Sequence, residues 1–214
     1  MDIPNTVPSI TPANRKAFLL TIAIFILPVV VAYTLLKTGW YTTAGTTNHG
    51  LLINPPIPFD NLTLRDDSNK VLPVDQFRKK WWIMFVMPPQ CDSACKNSLF
   101  LMRQSHQALG PEQERVAELI VLPQQLDPDM QHWINQEFPH ATQVFANAAE
   151  LDDTLRQAMK ADQKPSTAGH LFLVDTMGAI FMHYPGYADE HESILKGRDL
   201  LKDLQKVLKL SKIG

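Results

Sequence analysis

The 214-residue chain has two cysteines, Cys91 and Cys95, set four positions apart in PPQCDSACKN. On a helix, residues i and i+4 share one face, one above the other. The two sulfurs would then lie close enough for a disulfide or for joint coordination of one ion. If Cys91 sits at a helix N-terminus, the macrodipole favours its thiolate, the reactive form in both disulfide exchange and metal binding. The usual redox spacing is C-x-x-C, whereas here it is C-x-x-x-C. A disulfide across so short a loop stabilises little in the chain-entropy model, which argues against a mere staple. A redox pair, a metal site and two small buried helix residues remain open.

The elements that must position the pair alternate along the chain. WWIMFVM (81–87) is a continuous apolar run of strand length, suited to a sheet centre covered on both faces. After Pro88 and Pro89 a helix is expected from Asp92 through His106, with apolar Leu99, Leu101, Met102 and Leu109. VAELIVL reads as a second buried strand, and Asp127–Phe138 as a helix opened by Asp-Pro. ELDDTLRQAM is amphipathic, and HLFLVDTMGAIFMHYPG reads as two strands around a turn at Asp-Thr-Met-Gly. GRDLLKDLQKVLKL carries leucines at helical spacing. Upstream, Pro55, Pro56 and Pro58 imply an extended lead-in, FDNLTLRD an edge strand and LPVDQFRKK a short helix. Parallel strands joined by helices require an α/β layer architecture. A strand ending in a turn with two cysteines at a helix start, then βα and a closing ββα, is a thioredoxin-like layout: a central mixed sheet flanked by helices.

The formal net charge of −2, with no evident basic face, argues against nucleic acid as a partner. AFLLTIAIFILPVVVAYTLL (17–36) has no charged residue and spans about 30 Å as a helix, the thickness of a bilayer core. Arg15 and Lys16 precede it, and Trp40 and Tyr41 follow like an interfacial belt. Pro28 in its middle is tolerated in a membrane helix. The run exceeds the apolar core of a cleaved signal peptide, so an uncleaved anchor is expected. The expected organisation is a cytoplasmic tail (1–16), a transmembrane helix (17–36), a linker (37–54) and a domain (55–214). The positive-inside bias of Arg15 and Lys16 places that domain on the periplasmic or extracytoplasmic side of the inner membrane.

FVMPPQCDSAC followed by a helix, VAELIVLPQQLDPD and GHLFLVDTMGAIFMHYPG together resemble the Sco/SenC family of thioredoxin-like proteins, over roughly residues 55–210. That resemblance implies one N-terminal membrane helix and a role in cytochrome c oxidase assembly, with a respiratory oxidase subunit or its assembly factors as partners. It also implies copper held by the two cysteines and one distant histidine. Cys91 and Cys95 would be ligands, and a thiolate pair with an imidazole suits Cu(I). The family's histidine position falls near Thr167, so His170, a few residues away, becomes the candidate third ligand and His183 the alternative. The prolines that flank the family's cysteines are replaced by Asp92 and Lys96.

His106, His132, His140 and His191 lie in polar segments and are expected to be solvated, while His49 in the linker has no assigned place. Lys96 could stabilise a neighbouring thiolate or be a surface charge. Three functions follow: copper delivery through Cys91, Cys95 and His170; thiol–disulfide exchange by Cys91 and Cys95 without metal; or a non-catalytic docking domain. No Gly-rich phosphate loop, G-x-S-x-G elbow or close His-carboxylate cluster is present in the sequence.

Overall fold

The computed structural model describes residues 12–38 and 47–211, and the chain divides after Thr47 into two units. The expected tail falls mostly in residues 1–11, and Trp40, Tyr41 and the start of the spacer in 39–46; both lie outside the described residues. In the first unit, α1 (Pro12–Thr38) contains the apolar run, and Arg15–Thr38 is long and apolar enough to cross a membrane. Its large apolar side chains, from Phe18 to Leu36, are exposed on every face. Its hydroxyls turn back on the helix, Thr21 Oγ1 donating to Ala17 O at 3.0 Å and Thr34 Oγ1 to Val31 O at 2.9 Å. A polar group in a lipid environment needs such an internal partner.

The second unit runs β1 (Leu51–Pro58), β2 (Trp81–Val86), α2 (Ser93–Gln107), β3 (Val116–Leu122), α3 (Pro128–Glu137), β4 (Thr142–Phe145), α4 (Ala148–Thr154), α5 (Pro165–Ala168), β5 (Leu171–Val174), β6 (Ala179–Tyr184) and α6 (Glu190–Leu210). The strands form one mixed sheet in the order β1-β6-β5-β2-β3-β4. β2, β3 and β4 are parallel, whereas β5 runs antiparallel to β2, and β6 antiparallel to β5 and β1. All six residues of β2 are buried, with Met84 between Leu119 of β3 and Phe172 of β5. Alternation sends Ile83 and Phe85 into one core, with Leu99 and Met102 of α2, Phe138 after α3 and Leu204 of α6. Trp82, Met84 and Val86 enter the other, with Phe59, Phe77, Leu151 and Leu155. This is the three-layer arrangement expected of a thioredoxin-like domain.

The lead-in region differs from the expectation. FDNLTLRD does not form an edge strand: Phe59–Asn61 is a 3-10 turn, and Arg65 makes only isolated bridges with Val71 and Phe145. The proline-bearing β1 itself is an edge strand, because an edge needs its N–H groups on one side only. The helix expected in LPVDQFRKK is one 3-10 turn, Val74–Phe77. The sequence reading also passed over β4, whose only fully buried side chain is Val144. Helix α6 begins seven residues before Gly197, which lies inside it because a Cβ there would collide with Leu101 of α2.

One buried carboxylate joins the domain's entry to its last helix. Asp203 of α6, 2% exposed, accepts from Gly50 N at 2.8 Å, His49 N at 2.9 Å and the Tyr184 hydroxyl at 2.8 Å. Burial, followed by the bond to Asp203, pushes the Tyr184 hydroxyl far above its ordinary pKa, so it stays a donor. Asp203→Ala strands the buried donors of Gly50 and Tyr184, each costing about 1–3 kcal/mol when left unpaired. Urea unfolding of the full chain in detergent is expected to show a loss of about 3 kcal/mol. A loss below about 1 kcal/mol would mean that other groups or water replace the carboxylate.

Candidate functional site

The turn between β2 and α2 is set by residues on both sides. Met87 continues β2, its N–H donating to Val121 O at 2.9 Å, and Pro88 and Pro89 then remove the donors a strand would need. Asp92 caps α2, its side chain accepting from Cys95 N at 3.0 Å. Cys95 thus lies in the first turn of α2 and Cys91 just before it. The two sulfurs are joined in a disulfide, with Cα atoms 5.0 Å apart. Cys95 is 1% exposed and belongs to the core under α2, while Cys91 is half-buried and packs against that core from outside. Access is therefore unequal, and Cys91 is the more accessible of the two sulfurs.

Two glycines let the chain close around the pair. Gly169, which ends α5 at φ +62°, lies so that an added Cβ would stand 3.6 Å from Pro88 Cγ and 3.8 Å from the Cys95 Cα. At Gly186 a Cβ would come within 2.9 Å of Gly169 O and 3.0 Å of Ser98 Oγ, too close for any side chain without movement. The C-terminal end of the sheet thus brings the segments around 169 and 186 against the first turns of α2. Met87, 1% exposed, sets its Sδ 3.8 Å from Cys95 Sγ. Strand alternation could have placed Met87 there, since it shares the face of Ile83 and Phe85; the sequence reading passed it over.

The histidines fall differently from the expectation. His170 and His183 are both 3% exposed, and His170 Nδ1 lies 2.6 Å from His183 Nε2. Their rings stack on each other, and His183 also stacks on Phe172. Leu171 and Leu173 belong to the Cys95 core and Phe172 to the opposite one, so alternation sets His170 on the sheet face away from the sulfurs. Burial lowers both imidazoles to a pKa of about 4, with His170 contributing to the shift of His183. Both are therefore neutral at pH 7. His183 Nδ1 is buried without a partner among the described residues. Among those residues no three His, Cys, Asp or Glu side chains form a group able to hold a metal ion.

His132, His140 and His191 are exposed as expected, and His49 lies 3.3 Å from Asp199. Lys96 places its Nζ 5.9 Å from the centre of the Trp133 ring, away from the thiols. His106 is not solvated. It lies in the last turn of α2, with Nδ1 3.1 Å from Glu118 and Nε2 2.9 Å from Val116 O, locking that end of the helix onto β3. Burial opposes its charge, but Glu118 and the carbonyls of Gln113 and Val116 outweigh burial and raise its pKa above 6.5.

In class, this is a thioredoxin-like domain with a disulfide at the start of the helix that follows its central strand. The family model for the "Transmembrane-like, thioredoxin-like, C-terminal domain" matches residues 81–211, and the chain belongs to that family. No curated protein matches it. Among solved structures, it is similar to the apo Sco1 protein of Thermus thermophilus, with 19% identity, 77% of this chain and 99% of that one covered, and a TM-score of 0.51. It is also similar to a thiol:disulfide interchange protein from Bacteroides sp. (18% identity, 73% and 88% covered, TM-score 0.46). A third is Arabidopsis thaliana ScoI with copper bound (17% identity, 72% and 99% covered, TM-score 0.47). At these identities the likeness concerns the fold.

The His106 clamp carries a pH dependence of definite sign. Its pKa is raised on folding, so its contribution is fully present below pH 6.5 and is lost as pH rises through the folded value. Wild type should therefore lose stability relative to His106→Gln as pH rises from about 6 to about 9, by denaturant unfolding at each pH. A stability difference that does not change with pH would contradict a protonated clamp.

Proposed function

We propose that the chain is a membrane-tethered thiol–disulfide exchange protein in which Cys91 is the attacking and Cys95 the resolving sulfur. The observation that carries this reading is the joined pair at a helix start, with Cys91 half-buried and Cys95 sealed beneath it. In the reduced protein, the Cys91 thiolate attacks one sulfur of a partner disulfide, forming a mixed disulfide and releasing one partner thiolate. The Cys95 thiolate then attacks Cys91 Sγ, releasing the second partner thiolate and re-forming the Cys91–Cys95 bond. Two electrons pass to the partner, and a dithiol reductant must restore the pair. The N-terminus of α2 favours the attacking thiolate, while the Asp92 cap sets a negative charge beside it.

In this proposal residues 17–36 cross the membrane, with the tail 1–16 on the cytoplasmic side and the domain, residues 55–214, on the periplasmic or extracytoplasmic side. The Sco/SenC resemblance around the cysteines supports cytochrome c oxidase assembly as the setting, with oxidase copper-site cysteines or assembly factors as partners. Copper delivery is the second reading, favoured by the soft sulfur donors at one place. His170 as the third ligand would require the segment before β5 to turn that ring to the other sheet face.

The exchange reading assigns unequal roles to the sulfurs. The reduced full-length Cys95→Ser variant, mixed with glutathione disulfide, is expected to accumulate a glutathione adduct at Cys91, detected by mass. Cys91→Ser should form an adduct much more slowly, because its remaining thiol is buried. Faster reaction at Cys95, or none at either position, would overturn these roles.

A further inference from the structure

Helix α6 turns Gly197, Leu200, Leu204 and Leu208 into the domain, and its opposite side is basic. Leu195, Arg198, Lys202 and Lys209 stand at i, i+3, i+7 and i+14, along one exposed line of the helix. The acidic groups of α6 lie elsewhere. Glu190 and Glu192 are in its first turn, Asp203 is buried, and Asp199 stands 3.3 Å from His49 and 3.8 Å from Lys196. Arg198, Lys202 and Lys209 make no ion pair among the described residues. A net charge of −2 conceals this face, which only helical spacing assembles. On the same line Leu195 is 49% exposed, and its neighbour Ile194 is 51% exposed. A lipid interface takes apolar and basic side chains together, because long basic stems lie along the apolar surface while their heads stay in water.

The chain leaving α1 is fastened to this same helix. His49 N and Gly50 N both donate to Asp203, and His49 also meets Asp199. From Thr38, the last residue of α1, to His49 the chain reaches at most about 40 Å. We infer that the exposed line of α6 docks on anionic phospholipid headgroups of the bilayer that α1 crosses. The inference rests on the proposed span at residues 17–36 and not on the chemistry of the cysteines. Each basic residue close to an anionic surface favours the docked state by about fivefold. A short tether makes the encounter intramolecular, so a few such contacts suffice. An acidic protein surface would meet the same charges, but the tether brings lipid to α6. Gly197 of α6 packs on Leu101 of α2, so docking also fixes the attitude in which Cys91, just before α2, meets a membrane-bound partner.

The test uses the full chain with its disulfide closed, reconstituted in vesicles of phosphatidylcholine alone or mixed with phosphatidylglycerol. A fluorophore is placed at Gln205→Cys beside the basic line or, in a second protein, at Met177→Cys in the β5–β6 turn. Quenching by headgroup-spin-labelled lipid then reads which side of the domain meets the bilayer. The Gln205 reporter is expected to be quenched in the anionic vesicles, weakly in phosphatidylcholine, and to recover in about 1 M salt, where the Debye length is about 3 Å. Arg198→Gln/Lys202→Gln/Lys209→Gln should lower the docked-to-free ratio by about 100-fold, with urea unfolding unchanged. The Met177 reporter should stay unquenched. Equal quenching at both positions, quenching indifferent to lipid charge and salt, or none in the anionic vesicles overturns the docking face. An alkaline carbonate wash separates the two readings. Protein that stays in the vesicles with an unquenched Gln205 reporter sinks the docking face alone, whereas protein that washes off sinks the span and the docking face with it.

Discussion

The burial of β2 on both faces is the constraint on which the rest of the domain depends. A strand with no charged side chain and both faces apolar must be covered by helices on one side and by turns and short helices on the other. Its neighbours β3 and β5 must also satisfy every backbone group along it. Each large apolar side chain sealed in this way contributes about 1.5–3 kcal/mol relative to exposure. The chain must nevertheless leave the strand at its C-terminal end, and Pro88, Pro89 and the Asp92 cap convert that exit into a helix start within a few residues. The cysteines occupy that exit. One is drawn into the core by the helix, and the other remains at the edge.

Chemistry at the exit follows from what the core can and cannot hold. A buried thiolate is costly in apolar surroundings, so a sulfur placed as Cys95 is favours a disulfide or a protonated thiol. The two buried histidines show the same rule on the opposite face. Burial keeps them neutral, and a single hydrogen bond joins them, with His183 Nδ1 left without a partner among the described residues. His106 is the contrasting case, where Glu118 and two carbonyls favour the charge that burial opposes. One helix therefore carries the disulfide at its first turn and the His106–Glu118 contact at its last.

Much of this could be read from residue order. WWIMFVM and VAELIVL are β2 and β3, the Asp92 and Asp127–Pro128 signals cap α2 and α3, and the apolar runs around Asp-Thr-Met-Gly are β5 and β6. The failures have physical causes. β1 was hidden because prolines argue against strands, except at an edge, and β4 because four residues with one buried side chain give no periodicity. In the site, the spacing of Cys91 and Cys95 was legible, but the partner of each histidine was not. The pairing of His170 with His183 depends on the register of β5 against β6, which no local pattern encodes. Met87 read as one more apolar residue of a strand, and only the packing of α2 on β2 sets its sulfur beside Cys95.

The most direct measurement is the reduction potential of the Cys91–Cys95 pair in the full chain, equilibrated in defined thiol buffers and quantified by mass after alkylation. A working exchange pair gives a reversible two-electron transition between about −120 and −270 mV, the range of known exchange proteins. A pair that stays oxidised below about −300 mV is a structural disulfide and contradicts the exchange function.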